Sequence, residues 1–298
     1  MPLVQPHHII VGHGGNVMGS PGDRPRPTDP VSAPKADERH AGIRVGIVDT
    51  GISEGAAGDH SEWFKNRYTA EADDVDKAYA SGDLFALQGG HGTFVAGVIQ
   101  SAAPGVAFDP EVALDPNGLG DEETLCRKIA ELGKKKINIL NLSLGCYTED
   151  DAASEPLRLT LKNLPGDIVV VASAGNRGDQ RPSWPAALCG VTAVAALAQN
   201  RDGTLIPACY SSFGHWVDAC AVGNRPSTYM KGEWQLPGET EATPFALWAY
   251  WAGTSFSAPW VTGRIAAVMA SDGITAAQAR DKLLADAEFH PGYGVFVK

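Results

Sequence analysis

Four runs of nearly continuous apolar residues stand out along the chain: 43-IRVGIVD-49, 137-INILNLSL-144, 168-IVVVASAG-175 and 191-VTAVAAL-197. A strand that is apolar at successive positions, rather than at every second one, is buried on both faces, as in a parallel sheet covered by helices. Helix-like segments separate these runs. In 121-DEETLCRKIAELGKKK-136, Leu125, Ile129 and Leu132 recur at i, i+4 and i+7, with acids in the first turn and lysines at the end. That charge order suits the helix dipole. Two more helices are predicted over 255–270, with Val261, Ile265 and Val268 on one side, and over 275–287, with Ala279, Leu283 and Leu284. A further one begins at or just after His91, where Val95, Val98 and Ile99 share a face. The alternation predicts an α/β fold, a three-layer doubly wound, mostly parallel sheet with helices on both faces. Residues 1–42 break the pattern with seven Pro and six Gly. They read as an extended N-terminal arm ahead of one domain over 43–298.

A formal charge of −11 and a pI near 5.1 exclude the basic face that a nucleic-acid partner needs. Only Lys134–Lys136 forms a basic run, at the end of a predicted helix. No apolar run approaches the ~20 residues of a membrane span. The start, MPLVQPHHIIVGHGG, lacks a basic region followed by a long apolar one. Neither nucleic acid nor membrane is an expected partner. The expected compartment is the cytoplasm, with secretion behind a leader absent from this chain as the alternative. Five cysteines (126, 146, 189, 209, 220) are an odd number in a chain too large to need crosslinks, which favours reduced thiols and leaves a Cys209–Cys220 bridge open.

Ligands of open parallel sheets bind beyond the carboxyl ends of the strands, so polar residues that end apolar runs are the first candidates. Asp49 directly follows Val48 in 45-VGIVDTGI-52, where it serves equally well as a turn cap. His91 stands in 89-GGHGTFVAGVI-99, where two glycines permit close backbone approach. Asn176 closes 171-VASAGN-176, and its amide can donate to a developing negative charge or merely hold a turn. Ser255, in 252-AGTSFSAPW-260, opens a helix, so its hydroxyl lies at the positive end of the dipole and its N–H has no partner within the helix. Both features favour a nucleophile whose product is an oxyanion, while simple capping is the plainer alternative.

Taken together and in order, 45-VGIVDTGI-52, 90-GHGTFVAGVI-99, 141-NLSLG-145, 169-VVVASAGN-176 and 253-GTSFSAPWVTG-263 resemble the motif set of the subtilisin-like serine proteases, peptidase family S8, over roughly 43–287. The sequence order Asp, His, Ser is the one known for subtilisin itself. The resemblance implies a serine endopeptidase acting on protein or peptide substrates, with Asp49, His91 and Ser255 as its triad and Asn176 as oxyanion donor. It also implies that Ser143, Leu144 and Gly145 form an edge that pairs with the substrate backbone, and that Gly118, Leu119 and Gly120 form the opposite edge. Ser183, in 183-SWPAA-187, is implied near the base of the primary specificity pocket. Ser257 gets no catalytic role and is expected to pack within the helix.

Rival readings fare worse. An α/β-hydrolase needs a Gly-x-Ser-x-Gly elbow and the order Ser, acid, His, neither of which surrounds Ser255. The acid-active sedolisins use a Glu-Asp-Ser set, which His91 and Asn176 disfavour. A catalytically silent binding module, a pseudoprotease, is the alternative from another class.

Several stretches depart from the family pattern. The direct run 100-QSAAPGVAF-108 lacks the loop that holds a tight calcium ion in many relatives, so no cofactor or metal is expected, a weak calcium site aside. This feature points toward the intracellular members. Residues 53–88 carry eight acids against three Lys or Arg and read as a solvated loop, or as an acidic rim selecting basic substrates. The segment 225–251 holds six aromatics, for core packing or as a partner surface. Cys146 reads as a small buried residue, or as a redox-sensitive thiol if exposed. Finally, 2-PLVQPHHIIV-11 is the one apolar, extended-leaning piece of the arm. It is either a mobile tail or a pseudo-substrate strand beside Ser143–Gly145, an arrangement that resembles the intracellular branch of the family.

Overall fold

The structure is a computed structural model, and it describes residues 6–12, 24–68, 71–285 and 288–298. In chain order, β1 (Ile9–Gly12) and β2 (Arg26–Pro27) precede a 3-10 turn at Glu38–Gly42 and β3 (Arg44–Asp49). Two single-turn helices, α1 (Ala56–Asp59) and α2 (Ser61–Phe64), lead to the hairpin β4 (Tyr79–Ser81) and β5 (Leu84–Phe85), then α3 (His91–Ala102). The centre comprises β6 (Ala107–Val112), β7 (Leu119–Asp121), α4 (Glu122–Leu132), β8 (Ile139–Leu142), β9 (Leu144–Gly145), α5 (Glu155–Lys162), β10 (Val169–Ser173) and β11 (Val191–Gln199). The remainder is β12 (Leu205–Pro207), β13 (Ala219–Val222), the long hairpin β14 (Asn224–Trp234) and β15 (Thr243–Ala252), α6 (Thr254–Asp272), α7 (Ala276–Ala285), β16 (Phe289–His290) and β17 (Gly294–Phe296).

The main sheet has nine strands in the order β16-β17-β13-β11-β10-β8-β3-β6, with β12 paired to β11. From β17 to β6 every pairing is parallel. The four apolar runs are four adjacent strands, β3, β8, β10 and β11. Each divides its side chains between two cores, which is why the runs show no alternation. Val45, Ile47, Val169 and Val171 meet Phe94, Val98, Val261 and Ile265 of α3 and α6 on one face. Val48, Val170, Leu140 and Leu142 meet Leu125, Ile129 and Leu132 of α4 on the other. Each such side chain, fully buried, contributes about 1.5–3 kcal/mol before the cost of ordering it. Asp121 caps α4 by accepting from Thr124 N–H at 2.9 Å, so this helix begins where its acids predict.

The described parts of the arm pack against the rest of the chain. β2 joins a second sheet by pairing with β15, Val31 and Ala33 lie against the core, and Asp37 and His40 bond to the carbonyl of Pro104. Within the aromatic segment, Tyr229, Trp234, Phe245 and Trp251 are buried in the β14–β15 hairpin beneath α3, so its rings go chiefly to packing. Two acids of the 53–88 stretch, Asp74 and Asp76, are buried, which corrects the solvated-loop expectation for them, and the other six are exposed. All five cysteines are unpaired, Cys220 buried and Cys209 exposed, so the open Cys209–Cys220 bridge is not formed. Among the described residues no helix is long and apolar enough to cross a membrane.

Candidate active site

The carboxyl edge of the sheet gathers four polar residues that are far apart in sequence. Asp49 is the last residue of β3, His91 the first of α3, Asn176 follows the end of β10, and Ser255 lies in the first turn of α6. Asp49 Oδ1 and His91 Nδ1 are 2.6 Å apart and both side chains are buried. Thr50 N–H donates to the same Oδ1 at 2.8 Å. The close approach of α3 to this loop requires Gly92, since a β-carbon there would lie 2.1 Å from the carbonyl oxygen of Gly51. The rings of Trp251 and Phe256 flank the imidazole at centroid distances of 5.6 and 5.5 Å. Trp251 therefore helps hold His91 from a segment whose aromatics gave no such signal in the sequence.

Ser255 Oγ donates to the carbonyl of Ser143 at 3.0 Å, and Ser143 Oγ donates to the carbonyl of Ser255 at 3.0 Å. Asn141 and Thr262 lock this pair from below: Asn141 Nδ2 donates to Ser143 Oγ and Thr262 Oγ1 donates to Asn141 Oδ1, each at 3.0 Å. His91 Nε2 has no hydrogen-bond partner among the described residues, so the structure does not join Ser255 to His91 directly. Hydrogen bonds between a nucleophile and its base often form or tighten only with substrate in place. Asn176 is oriented by Thr254, whose N–H and Oγ1 both donate to its Oδ1, at 2.9 and 2.8 Å.

One further residue ties the arrangement together. Asp76 Oδ2 accepts from Thr50 Oγ1 at 2.9 Å and from Gly90 N–H at 2.8 Å, linking the residue after Asp49 to the residue before His91. Thr50 Oγ1 in turn accepts from Gly92 N–H at 3.1 Å. Burial pushes the Asp76 carboxyl up to about 7, its two donors notwithstanding. Sequence reasoning missed it because nothing local separates Asp76 from the seven other acids of its segment.

The two implied substrate edges face each other across a strand of the protein's own chain. β1 pairs antiparallel with β7 on one side, Ile10 opposite Gly120 and Val11 opposite Leu119, and with β9 on the other, Val11 opposite Gly145 and Gly12 opposite Leu144. Gly12 N–H donates to the carbonyl of Gly118 at 2.9 Å. Ile10 is wholly buried while Ile9 is 63% exposed. The strand runs toward Ser143, where Ser255 bonds. Residues 13–23 lie outside the described residues.

Ser183 is buried, next to Trp184, whose backbone exchanges hydrogen bonds with Cys146 just beyond the Gly145 edge. Cys146 is 2% exposed and its thiol is pushed up to about 12 by burial, which removes the redox-sensitive reading. The link between α3 and β6 is the short stretch 103–106. Among the described residues Glu71, Asp73 and Asp74 bring carboxylate oxygens near one another, but Lys128 already bonds Asp73 at 3.0 Å and Glu111 at 2.7 Å beside them.

The chain is similar to known proteins. The chain is 28% identical over 268 residues to the thermophilic serine proteinase of Bacillus sp. (strain AK1), covering 87% of this chain and 59% of that protein. It is 27% identical over 280 residues to thermitase of Thermoactinomyces vulgaris, covering 89% of each. The crystal structure of fervidolysin from Fervidobacterium pennivorans, described as a keratinolytic enzyme related to subtilisin, superposes with a TM-score of 0.68 at 26% identity, over 87% of this chain and 42% of that one. The chain thus spans little more than half the length of the first of these relatives and less than half of fervidolysin. With the subtilase profile, Peptidase_S8, matching residues 40–294, from just before β3 to the first residue of β17, the chain belongs to the subtilase family.

Proposed function

We propose that the protein is a serine endopeptidase that cuts peptide bonds through an acyl-enzyme, with Ser255 as nucleophile, His91 as general base and then acid, and Asp49 as the group that holds the imidazole. The observation that carries this reading is the 2.6 Å contact of buried Asp49 with His91 Nδ1, which leaves Nε2 as the proton acceptor. Ser255 Oγ turns from Ser143 to His91, gives up its proton and attacks the substrate carbonyl. The amide of Asn176 and the N–H of Ser255 receive the oxyanion. His91 then protonates the leaving amine, and water releases the acyl group by the same route. Five unpaired cysteines, two of them buried, support a reducing compartment as its setting.

In this reading β1 is a pseudo-substrate strand. It uses the backbone groups of Gly118, Gly120 and Gly145 that an incoming peptide needs, so cleavage in trans requires the arm to leave. A catalytically silent module is the alternative, and the Ser255–Ser143 bond is the one observation on its side. A serine-reactive phosphonate distinguishes the two. Labelling at Ser255, with peptide turnover lost in Ser255→Ala, supports the protease. A folded chain lacking residues 1–12 that neither labels nor cleaves peptides supports the module.

A further inference from the structure

The cleft is closed around the α-carbon of Gly12 by a residue the reaction does not use. Gln88 is wholly buried and its backbone is held on both sides: its N–H donates to the carbonyl of Pro116 at 2.9 Å, and its carbonyl accepts from His91 N–H at 3.0 Å. Its side chain lies between two glycines on different strands of the cleft. A β-carbon at position 12 would stand 2.5 Å from Gln88 Oε1 and 3.2 Å from Leu114 Cδ1. One at position 118 would stand 2.7 Å from Gln88 Cδ. The amide also reaches back to Gly12, Nε2 to the carbonyl oxygen at 3.4 Å. Gln88 thus fills the volume that the side chain of any strand residue at this register would enter. Two residues earlier the cleft behaves oppositely and takes in the whole side chain of Ile10, beside Leu114, Leu125 and Leu144.

We propose that Gln88 is a specificity-determining residue that makes the cleft select extended peptides with glycine at the position paired to Gly118 and Leu144, two residues after an aliphatic one. This inference rests on the endopeptidase reading and takes β1 as a marker of the substrate path. A methyl at the selected position meets the terminal amide of Gln88, which must shift within a buried space bounded by Leu114 and Gly118, and a leucine side chain demands a larger displacement of the same amide. Overpacking of a closed site on this scale lowers affinity about tenfold or more, since 1.4 kcal/mol is a factor of ten.

The test compares three peptides, acetyl-Ile-Val-Gly-His-Gly-Gly-amide and its variants with Ala or Leu in place of the first glycine. Binding is measured on the full chain carrying Ser255→Ala, and turnover on the wild type. Competition from β1 scales all three apparent affinities alike and leaves their ratios untouched. The glycine peptide should outrank the leucine peptide about tenfold or more in both readouts, with alanine between them. Gln88→Ala should bring the three within about threefold of one another by opening the site, and Gln88→Glu, which keeps the volume, should retain the ranking. Equal binding of the three peptides by the Ser255→Ala chain would overturn the proposal, whether or not the Gln88 variants fold. So would an unchanged ranking in a stably folded Gln88→Ala chain. Selective binding without cleavage would sink the endopeptidase reading and leave this one standing. Cleavage without selection would do the reverse.

Discussion

Asp76 accepts a hydrogen bond from Thr50 at 2.9 Å, and through it the loop after β3 is tied to the turn that starts α3. Asp76→Ala leaves a buried hydroxyl and the Gly90 N–H without an acceptor, at about 1–3 kcal/mol for such a group. The expected outcome is a lower melting temperature, together with a fall in kcat of about tenfold as Asp49 and His91 lose their shared support. Asp76→Asn, which keeps an acceptor, should retain most of the kcat. Equal kcat for Ala, Asn and wild type would show that Asp76 does not position the site.

The same carboxyl makes stability depend on pH. Its folded value of about 7 lies above its ordinary value of 3.8, because burial disfavours the charged form. Across that window the native chain binds more protons at this group than the unfolded chain does. The contribution of Asp76 therefore falls as pH rises from 3.8 toward 7, and Asp74, raised to about 6 by burial, acts with the same sign. Melting curves between these limits should show Asp76→Asn gaining on the wild type as pH rises. A constant difference across the window would contradict the assignment.

Asn176→Ala should lower kcat by ~10²–10³ with little change in KM, a magnitude that comes from subtilisin itself rather than from this chain. Because Thr254 N–H and Oγ1 both lose their acceptor, the variant should also melt at a lower temperature. Steady-state kinetics on one peptide decides the first point, and a kcat within about twofold of wild type would remove Asn176 from the oxyanion site.

Removing residues 1–12 should raise the initial rate on a short peptide and lower the melting temperature modestly, through the lost burial of Ile10, while the domain still folds. Removing residues 1–40 is a different experiment, because β2, Asp37 and His40 hold the second sheet and the end of α3. That longer deletion should destabilise the domain. An unchanged rate in the shorter one, with the domain folded, would mean that β1 does not occlude the cleft.

The α3–β6 link at 103–106 motivates the proposal that folding needs no tightly bound calcium. An ion that binds only the folded state stabilises it by RT ln(1 + [L]/Kd), so a chelator should shift the melting temperature little. A drop of ~15 °C with EDTA would refute it, being several kcal/mol for a domain of this size.

Local rules made the framework of this protein legible. Nearly continuous apolar runs marked β3, β8, β10 and β11 as a buried parallel sheet, the acids ahead of Leu125 marked the start of α4, and Asp49 and His91 could be placed at a strand end and a helix start. Each of these follows from contacts within a few residues, or from burial that shows as periodicity. Other features depended on which distant segments meet. Asp76 differs from Asp73 only because its carboxylate lies under Thr50 and Gly90, and Gln88 matters only because Gly12 arrives from the far end of the chain. The Pro/Gly composition of the arm was equally compatible with a loose tail, since pairing with β7 and β9 depends on two edges over a hundred residues away. The bond of Ser255 to Ser143 rather than to His91 depends on three segments meeting, with Asn141 and Thr262 holding Ser143 through their own hydrogen bonds. No pattern of residue types encodes that choice, because a hydroxyl has several staggered positions and only its three-dimensional neighbours select one.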